Sequence, residues 1–420
     1  MTLPFPDPAQ TEAPSLPPDQ PFTFRNAHDK TGGRICATGP VRPLQPGSAT
    51  TLKNRITPFF DAGREADIDD AALIGGALPF DKAGSDCLWQ VAGGHGAWPG
   101  ETALARPRPV PATGAARLER QPRPQPPARG YMDSVARALE IMRAERGLPD
   151  ALTKVVLARS LLVEDRMAFA LPGLMARLAE DPAVTVFQVA LPPDARTGAP
   201  RHLVGATPEL LLRKRGDSVV SHPLAGSARR CDDPEEDARA ANALARSEKD
   251  RREHGLVVEY ILDTLAPWCK SLGTPGGMAL AATRSMWHIG TRIEGRLKAP
   301  GTPAILLAAA LHPTPAVCGL PCARAARLIR ELEPVARDFY AGTVGWCDRR
   351  GDGDWYVAIR CAELCGARAR LFAGAGIVLG SDPHAEASET GAKFGAFLSA
   401  LGLPPDAALS EPSLPSQPNG

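Results

Sequence analysis

Beyond residue 130 the apolar positions recur with two distinct periods, one helical and one extended. Tyr131, Val135, Leu139 and Met142 lie three or four apart, with Asp133 near the start, which predicts an amphipathic helix. Runs rich in valine and leucine predict strands over residues 154–162, 184–191, 202–212 and 218–223, the last ending at a glycine-containing turn. A long helical pattern covers residues 233–265, where Val257, Ile261 and Leu265 fall four apart. Further helices are predicted over 324–332 and 387–401, with strands at 343–347, 355–360 and 370–373 between them. Strands and helices mix without strict βαβ alternation, and neither an internal repeat nor a nucleotide-binding glycine fingerprint occurs. This pattern predicts an α+β fold with large antiparallel sheets.

The first part of the chain reads differently. Of the 43 prolines, 20 precede residue 130. Residues 1–21 are expected to be a disordered leader. Residues 105–130 hold seven prolines and six arginines and are expected to be a linker or an irregular crossing. Their arginines lack interleaved aromatics, so a solvated segment is expected there in place of a nucleic-acid surface. The tail beyond residue 403 is again rich in Pro and Ser. One domain is therefore expected over residues 22–403, with its regular core at 131–403 and a loose tail at 404–420.

Charge changes the picture only locally. With 48 basic and 47 acidic residues the net charge is +1, which gives no global field for nucleic acid or an anionic membrane. An anionic ligand must be held by a local arrangement of charges. The N-terminus lacks the basic and apolar regions of a secretory signal. The longest aliphatic run, residues 304–311, falls far below the roughly 20 residues that span a bilayer. A cytoplasmic, monomeric protein is expected. Nine cysteines suit a reducing compartment. The spacing of Cys318/Cys322 and Cys361/Cys365 also fits zinc, but both pairs sit in stretches that read as packed, where buried inert thiols are the expectation.

Among residues able to do chemistry, Glu253 lies four residues before Val257, on the face its helix buries, and a carboxylate there needs a partner. Glu386, Glu389 and Lys393 share one side of one helix. Taken alone they read first as a surface Glu–Lys pair; the functional alternative is that carboxylates from two helices hold Mg²⁺. Gly374-Ala375-Gly376 reads either as a tight turn or as a close backbone approach to an anion. Arg360 closes an apolar strand and suits a carboxylate ligand. Lys154 opens a strand, where a solvated lysine is the ordinary case; buried beside a site it would become a usable base. Glu209 interrupts an apolar strand edge. His288, between Trp287 and Ile289, reads as a structural histidine. The residues alone imply an anion-binding site, with magnesium dependence as the functional alternative for its carboxylates.

Several blocks carry a family resemblance: KVVLAR from Lys154, GATPELLLRK from Gly205, HPLAGSARR from His222, SEKDRREH from Ser247 and MWHIGTRIEG from Met286. They continue with LHPTPAVCGLP from Leu311, VGWCD from Val344, AGAGIV from Ala373 and the ExxETxxK run from Glu386. IGGALPFD from Ile74 matches as well. The chain thereby resembles the chorismate-utilising enzymes, which include isochorismate, anthranilate, aminodeoxychorismate and salicylate synthases. The resemblance implies a fold like anthranilate synthase component I, with two large antiparallel sheets, flanking helices and a cleft between them.

It also implies roles. Lys154 would activate water as general base, and Glu209 would protonate the leaving hydroxyl. Glu253 and Glu389 would bind Mg²⁺ directly and Glu386 through water. Arg360, Lys393, His288, Ala316 and the backbone near Gly226, Ser227, Gly374 and Gly376 would hold chorismate. Ala225 stands where aminodeoxychorismate synthases carry a nucleophilic lysine, and retained Lys154 argues against ammonia use. Ala316 replaces the threonine of members that eliminate pyruvate. The activity implied is a siderophore-type isochorismate synthase feeding 2,3-dihydroxybenzoate. The alternatives are a salicylate synthase, a menaquinone-type isochorismate synthase and an inactive chorismate-binding protein. The expected partner is the small-molecule substrate, with transient contact to the next pathway enzyme, and neither nucleic acid nor membrane.

Overall fold

The computed structural model describes residues 20–25, 34–65, 71–93 and 121–408. The leader expected over residues 1–21 lies almost wholly outside these, as do most of the Pro/Arg-rich segment and of the tail. Two nine-stranded sheets and a three-stranded sheet form the frame, and every strand pair is antiparallel. In the first large sheet, strand Lys154–Glu164 pairs along its whole length with Arg368–Val378; Cys361–Cys365, Arg201–Thr207, Thr185–Leu191 and Phe22–Arg25 follow in order. The second is centred on Leu210–Arg215, Gly353–Val357, Thr343–Asp348 and Leu73–Leu78. The small sheet holds Leu224–Arg229, Met286–Thr291 and Met278–Ala282.

Both large sheets contribute to one core, in which Phe22, Phe187 and Leu203 of the first meet Ile74, Leu212 and Trp355 of the second. The wholly apolar helix Ala304–Leu311 is sunk into that core, as a helix without a polar face must be. The far side of the first sheet is covered by helices Leu171–Leu178 and Pro383–Ala400 through Leu174, Phe394 and Leu398.

Several predicted elements are corrected. The helix expected over 233–265 is two, Pro234–Arg246 and Glu248–Leu265. Ser247 separates them in extended conformation, and its hydroxyl accepts from the Asp250 N–H, so it caps the second helix. The strand expected over 202–212 is broken at Pro208-Glu209. The glycine-containing turn expected after residue 223 is instead part of a strand, Leu224–Arg229, with Gly226 at φ +76°. Gly374 and Gly376 lie within strand Arg368–Val378, not in a turn after it. At the end of the Pro/Arg-rich segment, Arg123–Gln125 pairs with Leu162–Ser160, and helix Ala128–Ala144 begins there.

One buried ion pair ties the first sheet to the loop beside it. Arg337 meets both oxygens of Glu333, at 2.9 and 2.5 Å, and donates to the carbonyls of Val317 and Val156, both at 2.7 Å. Glu333 also accepts from the Ala158 N–H at 2.8 Å. Arg337→Met would leave the Glu333 carboxylate buried without its partner. The expected loss is about 3–5 kcal/mol of unfolding free energy, measured by chemical denaturation; a loss under about 1 kcal/mol, the scale of a surface pair, would show the clamp to be dispensable.

Candidate functional site

The site is built where two neighbouring strands change sheet side by side. Arg201–Thr207 belongs to the first sheet and Leu210–Arg215 to the second, so the chain crosses between them at Pro208-Glu209. Gly353–Val357 and Cys361–Cys365 make the reverse crossing through Ala358-Ile359-Arg360. The crossings are stitched together: Thr207 Oγ1 donates to Val357 O at 2.8 Å, and Ala206 N to Arg360 O at 3.1 Å. Arg360, expected to close a strand over 355–360, therefore lies beyond the strand's end at Val357, in the left-handed region at φ +50°, which a non-glycine residue holds only when its surroundings fix it.

Glu209 is 3% exposed. Burial pushes its carboxyl up to about 7, against the opposing pull of a backbone hydrogen bond at Leu224 and of Lys154, Arg360 and Lys393. This is an acid that keeps its proton close to neutrality. Burial likewise lowers the Arg360 guanidinium from its ordinary value, though not to a range where it would lose its charge.

The carboxylates arrive from two helices. On Glu248–Leu265, Glu253, Val257, Ile261 and Leu265 are buried four apart, which directs Glu253 inward. Its Oε1 lies 2.9 Å from Lys154 Nζ, and the lysine side chain is 0% exposed; the solvated lysine expected at a strand start is thus corrected. A Cβ on Gly376 would fall 2.2 Å from that same Oε1, so glycine is what lets the carboxylate lie across the strand. The surface Glu–Lys pair is corrected too. Helix Pro383–Ala400 turns Glu386, 1% exposed, toward Lys249 at 2.7 Å. Its Glu389 accepts from Ser227 Oγ at 2.7 Å and meets Lys393 at 2.6 Å. Burial and the neighbouring Glu389 raise the Glu386 carboxyl. For Glu389, burial acts upward but is outweighed by Lys393 and Ser227, and the net shift is down.

Each of the three candidate metal-binding carboxylates is thus answered by one lysine. Among the described residues no three His, Cys, Asp or Glu side chains converge into a ready metal cage. The donor set nonetheless fits Mg²⁺, which takes one or two carboxylates and keeps several waters. Glu386 Oε2 is buried without a hydrogen-bond partner, an acceptor that a cation or its water would satisfy.

The small sheet closes the cavity. Gly226, at φ +76°, packs against Asp250, where any Cβ would come within 2.9 Å. His288 pairs in register with Ser227. Burial, then Arg360 and Lys393, hold its imidazole well below the usual range, so it is neutral; its Nε2 has no partner. Of the thirteen residues singled out from the sequence, eleven line one cavity of about 60 Å³: Glu209, Gly226, Ser227, Glu253, His288, Ala316, Arg360, Gly374, Gly376, Glu389 and Lys393. Lys154 and Glu386 do not reach the wall. Lys154 stands behind Glu253, and Glu386 one helical turn before Glu389.

Three residues escaped the sequence reading. Lys249 precedes Glu253 by one turn, so its helical face could have announced it. Tyr340, stacked on Phe372 at 4.7 Å, lines the cavity, but nothing local marks it. Arg159 is buried and donates to Thr390 Oγ1 at 2.9 Å and Ala387 O at 3.0 Å, bracing the turn between Glu386 and Glu389.

Fold and site together give a polar cavity in which a buried carboxyl, an arginine and lysine-paired carboxylates converge. Residues 101–402 match the chorismate binding enzyme family, and the chain belongs to it. Among its relatives, isochorismate synthase DhbC of Bacillus subtilis strain 168 is 38% identical over 84% of this chain and 86% of its own. Isochorismate synthase EntC of Escherichia coli K12 is 37% identical over the same shares, 84% and 86%. A solved Bacillus anthracis structure, described as a candidate 2,3-dihydroxybenzoate-specific isochorismate synthase, superposes with a TM-score of 0.78 at 35% identity, over 92% of this chain and 97% of that one.

Gly376→Ala tests the close approach. The added methyl must displace Glu253, and about a hundredfold fall in turnover is expected from a shift of order 1 Å, with the thermal midpoint nearly kept. An unchanged rate would mean that the Glu253 position is not needed.

Proposed function

We propose that this protein is an isochorismate synthase. It adds water to C2 of chorismate as the C4 hydroxyl leaves, on the route to 2,3-dihydroxybenzoate siderophores. The observation that carries this reading is Glu209, a buried carboxyl titrating near 7 in the same cavity as Glu253 and Lys393. It can deliver a proton to a departing hydroxyl at neutral pH. The family resemblance assigns the base role to Lys154, which is ion-paired with Glu253 behind the cavity wall; to draw a proton from water it must give up that pairing and reach past Glu253. Arg360 and Lys393 hold carboxylates, and His288 offers its unpartnered Nε2. Holding acid and base on one ring in fixed geometry supplies much of the rate.

Glu253 and Glu389, with Glu386 through water, would hold Mg²⁺, whose charge would fix the ring carboxylate. Ala225, in the wall where the resemblance implies a lysine nucleophile for other members, supports water as the attacking group. Ala316, also in the wall, supports a reaction that stops before pyruvate is eliminated. Nine free thiols support a cytoplasmic setting, and among the described residues no helix is long and apolar enough to cross a membrane.

Purified protein incubated with chorismate and Mg²⁺, without ammonia, should form isochorismate and no pyruvate on chromatography. Salicylate plus pyruvate would instead identify a salicylate synthase, and binding without conversion an inactive chorismate-binding protein. Lys154→Ala should abolish turnover while chorismate binding persists; a near-normal rate would remove Lys154 as the base.

Glu209 gives a pH signature independent of activity. Its carboxyl is raised from 4.5 to about 7 in the folded chain, so between those values the folded state binds more protons than the unfolded one. Its contribution to stability is therefore present at low pH and is lost as pH rises through about 7. Unfolding free energies measured across this window should show the decline, and Glu209→Gln should flatten it. An equal decline in the variant would reassign the effect to other groups.

A further inference from the structure

A second, larger cavity of about 480 Å³ adjoins the catalytic one and shares Pro208, Arg360 and Lys393 with it. It opens between the end of helix Leu171–Leu178, the outer half of helix Pro383–Ala400 and strand Leu224–Arg229. Beyond the shared pair, its walls carry Arg177, Arg229, Arg230 and Arg284 against the acids Glu180 and Asp181.

Most of these charges are already engaged. Arg230 pairs with Asp237 at 2.8 Å and lies over the Trp287 ring at 4.4 Å. Arg284 meets Glu180 at 3.3 Å, and Arg177 donates to the Ala400 carbonyl. Asp181 accepts from the Arg284 N–H at 2.8 Å. The exposed Arg229 side chain has no hydrogen bond or ion pair among the described residues. It follows Ser227 by two positions on one strand, hence on the same face and about 7 Å farther out. Ser227 is bonded to Glu389 inside the catalytic cavity, so Arg229 continues that face outward.

Size supports two rooms with separate tasks. About 60 Å³ admits about four or five waters, so a ring bearing two carboxylates must reach the inner cavity past side chains that shift. The outer cavity is open and cationic, and Arg360 and Lys393 form the threshold between the two. We propose that the outer cavity is an anteroom in which a small dicarboxylate anion is first captured by Arg229 before passing Arg360 and Lys393 to the catalytic cavity. The choice of chorismate as that anion rests on the function proposed above. The anteroom supplies locally the attraction that a net charge of +1 withholds globally.

The test is chorismate association with the full chain, followed by stopped-flow tryptophan fluorescence over a range of salt. Arg229→Glu should slow association about three- to tenfold at low salt, and the difference should close near 0.5 M. Arg229→Ala should fall between, with kcat/KM following the association rate and kcat held. Arg137→Glu, an equal charge reversal at an exposed position outside the lining of both cavities, should leave the rate as it was. If Arg229→Glu matches the wild type at low salt while the wild type converts chorismate, the anteroom is refuted and the enzyme reading stands. Equal slowing by Arg137→Glu would refute it too, because the attraction would then be global. If the wild type binds chorismate without converting it, the enzyme reading fails, and the same rates still decide for or against the anteroom. Absence of binding overturns both.

Discussion

The site depends on a constraint of backbone geometry: two adjacent strands leave one sheet for the other at the same level. A strand cannot keep its ladder while it turns through such a corner, so both crossings contain residues outside regular pairing. Pro208, which has no N–H to donate, is tolerated there, and Glu209 and Arg360 occupy the gap. The two crossings repair one another through Thr207 Oγ1 to Val357 O and Ala206 N to Arg360 O. The result is a polar pocket inside an apolar core, with an arginine in a sparsely populated conformation and a carboxyl kept protonated by burial.

Electrostatics then follows from matching. Three carboxylates from two helices enter the site, each with one lysine: Glu253 with Lys154, Glu386 with Lys249 and Glu389 with Lys393. Removing a charge from water is costly unless it is paired, and these pairs allow the acids to exist there. Glu209 stands outside the scheme, beside several cations but directly paired with none, and it is the carboxyl whose raised value reaches neutrality. Glu389, held by Lys393 and Ser227, is shifted down while Glu209 is shifted up, so surroundings and not residue type set the two carboxyls apart.

Much of this was legible in the chain. Period and composition placed most helices and strands, and the four-residue spacing from Glu253 to Leu265 correctly turned that glutamate inward. The shared face of Glu386, Glu389 and Lys393 was visible as well, but not whether it faced water or protein. Lys154 illustrates the limit. A lysine at the start of a strand is ordinarily solvated, and only pairing with Arg368–Val378 and the arrival of Glu253 bury it. Glu209 was seen as an interruption of a strand edge, but the switch between sheets that explains it depends on partners about 150 residues away. Periodicity cannot report such partners.

The sequence by itself determined the class of fold, the faces on which the acidic residues lie and, through its ordered blocks, the family. These are local or pattern properties, set by spacing along one element. The tertiary structure alone decided burial, pairing and titration. The 0% exposure of Lys154 and the protonated state of Glu209 come from groups distant in sequence that share one low-dielectric space. The glycines show the same division. Their positions could be read from the chain, but what each one admits, such as the Glu253 carboxylate across Gly376, exists only after the helix packs on the sheet.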